Sequence, residues 1–266
     1  MATQLNLRPV EPETVSLSTR LRRERARPIS PPIRPRWAWY LPLKYGSDFV
    51  LALLLTVIAL PVVALAALAV RLTSRGPAFY TQVRVGRGGR PFTIYKLRSM
   101  IHNCESLTGP RWSMPGDPRV TPVGWVLRKM HLDELPQLLN VLRGEMSLIG
   151  PRPERPEFMP ELEREVPGYK QRLTVRPGVT GLAQVQLPPD TDVDSVRRKL
   201  AHDLFYIENV GPWLDVRLLL CTAFYALGVP FHVLSRVLRL PVSGAIEKTM
   251  RGAVGTPPPA RIRLAA

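Results

Sequence analysis

From Phe49 to Val70 the chain is an apolar run interrupted only by Thr56 and Pro61. Such a run matches the ~20 residues that an α-helix needs to cross the hydrocarbon core of a bilayer. Pro61 lies just past its middle, where it removes a backbone hydrogen bond and crowds the preceding turn, so a kink or break is expected there. Arg34, Arg36 and Lys44 precede the run, and Arg71, Arg75 and Arg84 follow it. Basic flanks on both sides favour both ends on the cytoplasmic face. The pattern predicts a kinked, re-entrant pair of helices within a membrane segment at 44–75, with a simple bitopic anchor as the competing arrangement. Asp48 stands at the membrane boundary, where an ionisable group needs a partner or a helix N-terminus; Lys44, four residues earlier, is the expected partner. Asp48 is open to a capping or a catalytic role.

A second apolar stretch, Trp213 to Leu240, is broken by Asp215, Arg217, Pro230, His232, Arg236 and Arg239. Its uninterrupted part, Leu218 to Val229, is too short to span, which predicts an amphipathic helix lying in the membrane interface or a soluble packing helix. Between the two stretches, alternation predicts strands at Ala78 to Val85 and Pro91 to Leu97, joined by the glycine-rich turn GRGG. Lys96 and Arg98 then share one strand face, either as a phosphate clamp or as a solvated pair. Further on, Leu135, Leu138, Leu139 and Leu142 follow the i, i+3, i+4, i+7 spacing of a helix with one buried face. Pro136 suits its first turn and Gly144 its C-terminal end.

Composition changes this picture in one respect. The formal net charge is +16, from 37 Lys and Arg against 21 Asp and Glu, so an anionic partner is expected. The two cysteines, Cys104 and Cys221, and four histidines show neither a CxxC pair nor HxxxH spacing, which argues against a disulfide framework or a zinc site. The apolar run is too long for a cleavable signal and has no small-residue cleavage site behind it, so it is expected to stay in the mature protein. The Arg- and Pro-rich residues 1–43 read as a disordered basic leader, solvated or attracted to anionic headgroups. Residues 76–240 are expected to form a single catalytic domain, and 241–266, rich in small residues and proline, a loose tail. The fold class expected is α+β and helix-rich, with a single catalytic domain carrying a β-hairpin and interfacial helices.

The candidate chemistry centres on Asp133 and Glu134. At a helix start they would sit where exposed N–H groups attract phosphate, and a carboxylate beside phosphate normally needs a metal between them. Adjacent helical residues point ~100° apart, so the two divide the work: one nucleophile or metal ligand, one supporting group. Simple capping is the alternative. A carboxylate attacking phosphorus gives an acyl-phosphate and splits one transfer into two steps, with Mg²⁺ offsetting the charge of a diphosphate. Arg152, held between two prolines, suits bidentate phosphate binding, and Arg176 repeats the arrangement before Pro177. Arg128 adds a cation near the centre. Asp203 and Tyr206 share a helix face and could orient a substrate or simply pack.

Taken together, KYGSD before the apolar run, GPAFYTQVRVG, FTIYKLRSM, DPRVTPVGWVLRKMHLDELPQLLNVLRGEMSLIGPRP, and VRPGVTGLAQV followed by DLFYIEN resemble the bacterial sugar transferases, the monotopic polyprenyl-phosphate glycosyl-1-phosphate transferases. The likeness runs from Lys44 to about Leu220. It implies transfer of a sugar 1-phosphate from a nucleotide sugar, usually a UDP-sugar, to polyprenyl phosphate, with release of UMP, at the cytoplasmic face of a bacterial inner membrane, as the first step of surface-glycan assembly. It also implies a re-entrant helix, an Asp-Glu dyad with Mg²⁺, and a covalent phosphosugar intermediate. By motif, Asp133 would be the nucleophile and metal-associated residue, Glu134 its partner at the metal, and Arg152, Lys96, Arg98, Arg128 and Arg176 phosphate-binding. Two stretches depart from the family pattern: Leu60 stands where Ser commonly precedes the proline, and AQVQLPPDTD replaces AQVNGR. A membrane-tethered basic binding protein or a scaffold without catalysis is the alternative function. Nucleic acid is not expected as a partner, because neither aromatic stacking platforms nor a recognition helix accompany the basic residues.

Overall fold

The computed structural model describes residues 32–254, apart from 107, 108, 110–112, 115 and 191. Its first element, α1 (Tyr40–Thr73), takes in the whole apolar run, and it is the one helix among the described residues long and apolar enough to cross a membrane. The run expected to divide at Pro61 into two helices is a single helical element with Pro61 inside it. One stripe of α1 is buried along its length, at Tyr40, Lys44, Asp48, Ala52, Ala59, Ala66 and Val70. Small alanines on that stripe let the helix lie close to the body. Leu53, Leu54, Val57, Ile58, Leu60, Leu65 and Leu72, on the other faces, stay exposed. Tyr40 to Leu43 belong to this helix, so the leader expected over 1–43 ends earlier than its composition suggests; residues 1–31 lie outside the described residues.

β1 (Phe79–Val85) and β2 (Pro91–Leu97) form the expected antiparallel hairpin, with Val85 opposite Pro91 and Phe79 opposite Leu97. Gly88, at φ +67°, takes the left-handed turn conformation that favours glycine. A helix α2 (Pro122–Lys129) follows, capped by the Thr121 hydroxyl, which accepts from Gly124 N at 3.0 Å. Next comes a 3₁₀ turn, Leu132–Gln137, that runs directly into the short α3 (Leu138–Leu142). β3 (Ser147–Ile149) pairs in parallel with β4 (Gly178–Thr180), and between them lie α4 (Met159–Glu165) and a 3₁₀ turn, Tyr169–Thr174.

The C-terminal half is helical: α5 (Leu182–Gln186), α6 (Val193–Asn209), α7 (Pro212–Ala226), α8 (Phe231–Val237) and α9 (Ser243–Val254). The largest core cluster joins α6, α7 and α9 to Ile149 of β3. α9 corrects the loose tail expected from residue 241. Ile246, Met250 and Val254 recur every four residues and are buried in that core, so burial orders the segment despite its small and polar composition. α7 buries Leu214, Leu218 and Cys221 in the core and exposes Trp213, Val216, Leu220 and Phe224 on its other side.

A buried polar network ties α1 to this body. Lys44 Nζ lies 3.2 Å from Asp48 Oδ2 and 3.0 Å from Asp215 Oδ2 of α7. Tyr40 and Tyr206 donate to the two Asp215 oxygens at 3.0 and 2.7 Å, while Ser147 Oγ and the Leu148 N–H donate to Asp48. At the other end of α1, the Arg98 guanidinium donates to the Ser74 and Arg75 carbonyls at 2.9 and 2.7 Å, supplying a cation where helix carbonyls are unsatisfied.

Candidate active site

Asp133 and Glu134 stand in the 3₁₀ turn before α3, not at the start of an α-helix as the leucine spacing suggests. The turn enters through His131, in the left-handed region at φ 55°, and it is fastened to the hairpin by Asn140. That side chain is fully buried and satisfied: Oδ1 accepts from Tyr95 N at 3.3 Å, and Nδ2 donates to Thr93 O and Glu145 Oε2, both at 2.7 Å. β2 and the acidic pair are thereby held in one register.

The two carboxylates have different surroundings. Glu134 Oε1 lies 2.7 Å from Lys96 Nζ and 2.5 Å from Arg152 Nη2, and Oε2 accepts from Arg152 Nη1 at 3.2 Å. Burial alone would raise Glu134, but Arg152 and Lys96 outweigh it and hold this carboxyl well below the usual range. Asp133 is also buried, yet among the described residues its carboxylate has no hydrogen-bond or ion-pair partner. Burial first, and the Glu134 charge second, raise Asp133 above the ordinary aspartate value, while Lys96, Arg152 and Arg128 pull the other way.

Arg152 is presented by a loop held on two sides. Gly150 N donates to Thr180 O and Gly178 N to Pro151 O, both at 2.9 Å, and Arg84 Nη1 donates to Pro153 O at 3.2 Å. Below the loop, Arg172 Nη2 donates to the Arg152 carbonyl at 2.8 Å and lies 2.7 Å from Asp203 Oδ2. Burial pushes Asp203 up to about 6 against the pull of Arg172. Arg172 and Asn140 were not among the residues singled out by sequence; the only signal for either is a polar side chain set in an apolar or motif-flanked stretch.

Asp133, Glu134, Lys96, Arg98, Arg128, Arg152 and Asp203 all line one cleft of about 1640 Å³, whose wall also includes Leu55, Ile58 and Val62 of α1. Two of these are engaged away from the acidic pair, and Arg176, Tyr206, Lys44 and Asp48 lie off the cleft wall. Arg98 does not act beside Lys96 on one strand face, because β2 ends at Leu97 and the Arg98 guanidinium turns to the end of α1. Arg128 Nη2 donates to Ser113 Oγ at 2.9 Å. Arg176 is not on the cleft wall; its guanidinium stacks 4.1 Å from the Tyr45 ring centroid. Tyr206 is parted from Asp203 and donates to Asp215 and, at 3.1 Å, to the Ile149 carbonyl. Lys44 and Asp48 belong to the network at the start of α1, where Asp48 accepts from β3 and caps no helix.

No group of three His, Cys, Asp or Glu that could cage a metal occurs among the described residues. Mg²⁺ does not need one, since it is held through one or two carboxylates together with substrate phosphates. An unpartnered Asp133 carboxylate opening on a cleft rimmed by Lys96 and Arg152 fits that mode.

The bacterial sugar transferase family matches residues 39–228, which takes in α1, the hairpin, the acidic pair and the Arg152 loop. The chain is 46% identical over 177 residues to the UDP-N-acetylgalactosamine-undecaprenyl-phosphate N-acetylgalactosaminephosphotransferase of Aeromonas hydrophila, covering 66% of this chain and 42% of that protein. It is 47% identical over 177 residues to the UDP-glucose:undecaprenyl-phosphate glucose-1-phosphate transferase of Caulobacter vibrioides, covering 66% of each. The chain thus spans less than two thirds of the length of these relatives.

Proposed function

We propose that this chain, which belongs to the bacterial sugar transferase family, transfers a sugar 1-phosphate from a UDP-sugar to undecaprenyl phosphate and releases UMP. The observation that carries the reading is the division of labour in the acidic pair. Glu134 is neutralised by Lys96 and Arg152, while Asp133 is left without a partner at the cleft surface. A carboxylate in that state is available as a nucleophile.

In the first step an Asp133 Oδ attacks the phosphorus that bears the sugar. An acyl-phosphate bond forms, the bond to the bridging diphosphate oxygen breaks, and UMP leaves with that oxygen. In the second step an oxygen of undecaprenyl phosphate attacks the same phosphorus, and Asp133 departs as a free carboxylate. The product is undecaprenyl-diphosphate sugar, and no net proton or electron is consumed. Glu134 fixes Arg152 and Lys96 beside the reacting phosphate, and their charge offsets what accumulates on the equatorial oxygens. Asp133, with Glu134 beside it, would hold Mg²⁺, which would supply positive charge to offset that of the diphosphate.

Acceptor delivery is supported by the cleft wall. Leu55, Ile58 and Val62 of α1 give it an apolar side that a polyprenyl chain could follow from the bilayer to the dyad. The re-entrant reading of α1 is supported at both ends: Lys44 meets Asp215, and the Ser74 and Arg75 carbonyls meet Arg98, so one body receives both. A straight span would separate those ends by the ~30 Å bilayer core. The catalytic body then sits on the cytoplasmic face of the inner membrane, where UDP-sugars are made.

The test mixes membranes carrying the protein with undecaprenyl phosphate, Mg²⁺ and a panel of UDP-sugars, and measures UMP. Asp133→Asn is expected to abolish release while still inserting in the membrane, and mass spectrometry of the wild type during turnover is expected to find a phosphosugar on residue 133. Full turnover by Asp133→Asn, or an adduct elsewhere, removes the assignment.

A further inference from the structure

We infer a second anion site, for the phosphate of an anionic phospholipid, centred on Arg176 over Tyr45, with Arg143 over Tyr95 as its neighbour, and separate from the cleft. Arg176 lies over the Tyr45 ring, and its own N–H donates to the Tyr45 hydroxyl at 3.3 Å. It also lies beside Gly144, where a methyl group would stand 3.5 Å from Arg176 Nη2. Gly144 is at φ +74°, a conformation that keeps a larger residue from taking this place. The guanidinium therefore touches both an aromatic ring and bare backbone.

Its five donors are unspent. Among the described residues the Arg176 side chain makes no hydrogen bond and no ion pair. Arg143, next to Gly144 in the chain, is exposed, stacks on Tyr95 at 5.0 Å and donates to its hydroxyl at 2.5 Å, again with no carboxylate within ion-pair distance. Glu145, the nearest acid in sequence, accepts instead from Asn140. A guanidinium fixed by aromatic stacking and left without a counter-ion offers its fork to a bidentate anion, which phosphate satisfies, and Arg143, the chain neighbour of the Gly144 that Arg176 touches, adds a second positive charge nearby.

The position chooses the source of that phosphate. Tyr45 precedes Phe49, the first residue of the apolar run, by four residues, about 6 Å along the helix axis. Leu43 and Phe49 beside it are exposed. A cation and a tyrosine just outside the hydrocarbon stand at the level of the headgroups. The nucleotide phosphates belong to the cleft, whose wall Arg176 does not join.

The experiment uses the full chain in detergent with equal amounts of phosphatidylglycerol and phosphatidylcholine, and counts retained lipid by native mass spectrometry. Wild type is expected to keep phosphatidylglycerol in preference. Arg176→Gln and Arg143→Gln should each lower its retention roughly tenfold, and Arg176→Lys, which keeps charge without the fork, should lie between. Arg90→Gln removes the same charge from the hairpin turn and should change nothing. Equal retention by all variants overturns the site, as does an equal loss in Arg90→Gln, which would make the effect one of net charge. Displacement of the lipid by millimolar inorganic phosphate would make it a free-phosphate site and overturn the headgroup assignment. Loss of UMP release by Arg176→Gln with lipid retention intact would place Arg176 in catalysis and likewise overturn it. Should Arg176→Gln unfold, Arg143→Gln and Arg176→Lys carry the test. Because the readout is bound lipid, it stands whether or not the sugar-phosphate transfer assigned to the cleft is correct.

Discussion

Arg152 closes a two-pronged grip on Glu134, Nη2 to Oε1 at 2.5 Å and Nη1 to Oε2 at 3.2 Å. The grip satisfies one member of the acidic pair and leaves its neighbour, Asp133, without a partner. It also fixes the plane of the guanidinium on the cleft wall. Lysine can replace the charge but not the plane. Arg152→Lys is therefore expected to lower UMP release about 10–100-fold, and Arg152→Met further, because it leaves Glu134 buried against Lys96 alone. Steady-state assays on both variants check this; equal activity of wild type and Arg152→Lys would mean that only charge matters at this position.

The second prediction concerns pH. As the proposed nucleophile Asp133 has to be ionised, and burial with the Glu134 charge raises its pKa. Activity should fall as pH drops through that raised value. Glu134→Gln removes the second of these causes, so the acid limb of its residual activity should move to lower pH, although the rate itself falls. Glu134 titrates in the opposite sense. Its folded pKa lies below its unfolded one, so its contribution to stability is complete above the ordinary glutamate range and is lost as pH falls through the lowered value. Normalised pH–rate profiles of the two proteins separate these effects, and an unmoved acid limb would assign it to another group.

Much of this arrangement is legible in the chain itself. The two runs of strand-forming residues flanking GRGG mark both hairpin strands to within a residue, since strand propensity and a glycine turn are local properties. Lys44 with Asp48 is legible for the same reason, at i, i+4. The leucine pattern after Asp133 misleads in phase. A 3₁₀ turn has three residues per turn, so it rotates the helix that continues from it: Leu139 is exposed where the spacing buries it, and Asn140 is buried. Arg172 with Asp203, and Lys44 with Asp215, are tertiary pairs whose members carry no mark of each other in sequence. The helix at Ser243–Val254 has the right spacing, masked by the prolines beyond it.

Lys44 sits between two buried aspartates, so its removal leaves like charges facing each other out of water. Lys44→Met is expected to destabilise the protein by about 3–5 kcal/mol. Adding Asp48→Asn and Asp215→Asn to it should recover much of that loss, because neutral groups can keep the hydrogen bonds from Ser147 and Tyr206. Thermal unfolding in detergent compares the single and triple variants. A triple variant no more stable than Lys44→Met would show that the ion pair itself, and not the uncompensated charge, sets stability here.

The last prediction is topological. Trp39 and Arg75 flank α1 and are both exposed, whereas Tyr40 is buried and unsuited to labelling. If both ends of α1 enter from one face, cysteines at 39 and 75, placed singly in a Cys104→Ser background, should react with an impermeant maleimide from the same side of sealed inner-membrane vesicles. Cys221 is buried and should stay silent. Pro61 supplies the local reason: without its N–H, the Val57 carbonyl loses its helical partner, and the helix can bend there at low additional cost. Pro61→Leu restores that hydrogen bond and removes the local reason for a bend, so it should shift a fraction of molecules towards a spanning arrangement, seen as label at 39 and 75 from opposite sides. The contacts of Lys44 with Asp215 and of Arg98 with the end of α1 oppose that shift, and weakening them with Lys44→Met should enlarge the fraction. Labelling from opposite sides in the wild type would make α1 a bitopic anchor and would require one of those two contacts to be broken in the membrane.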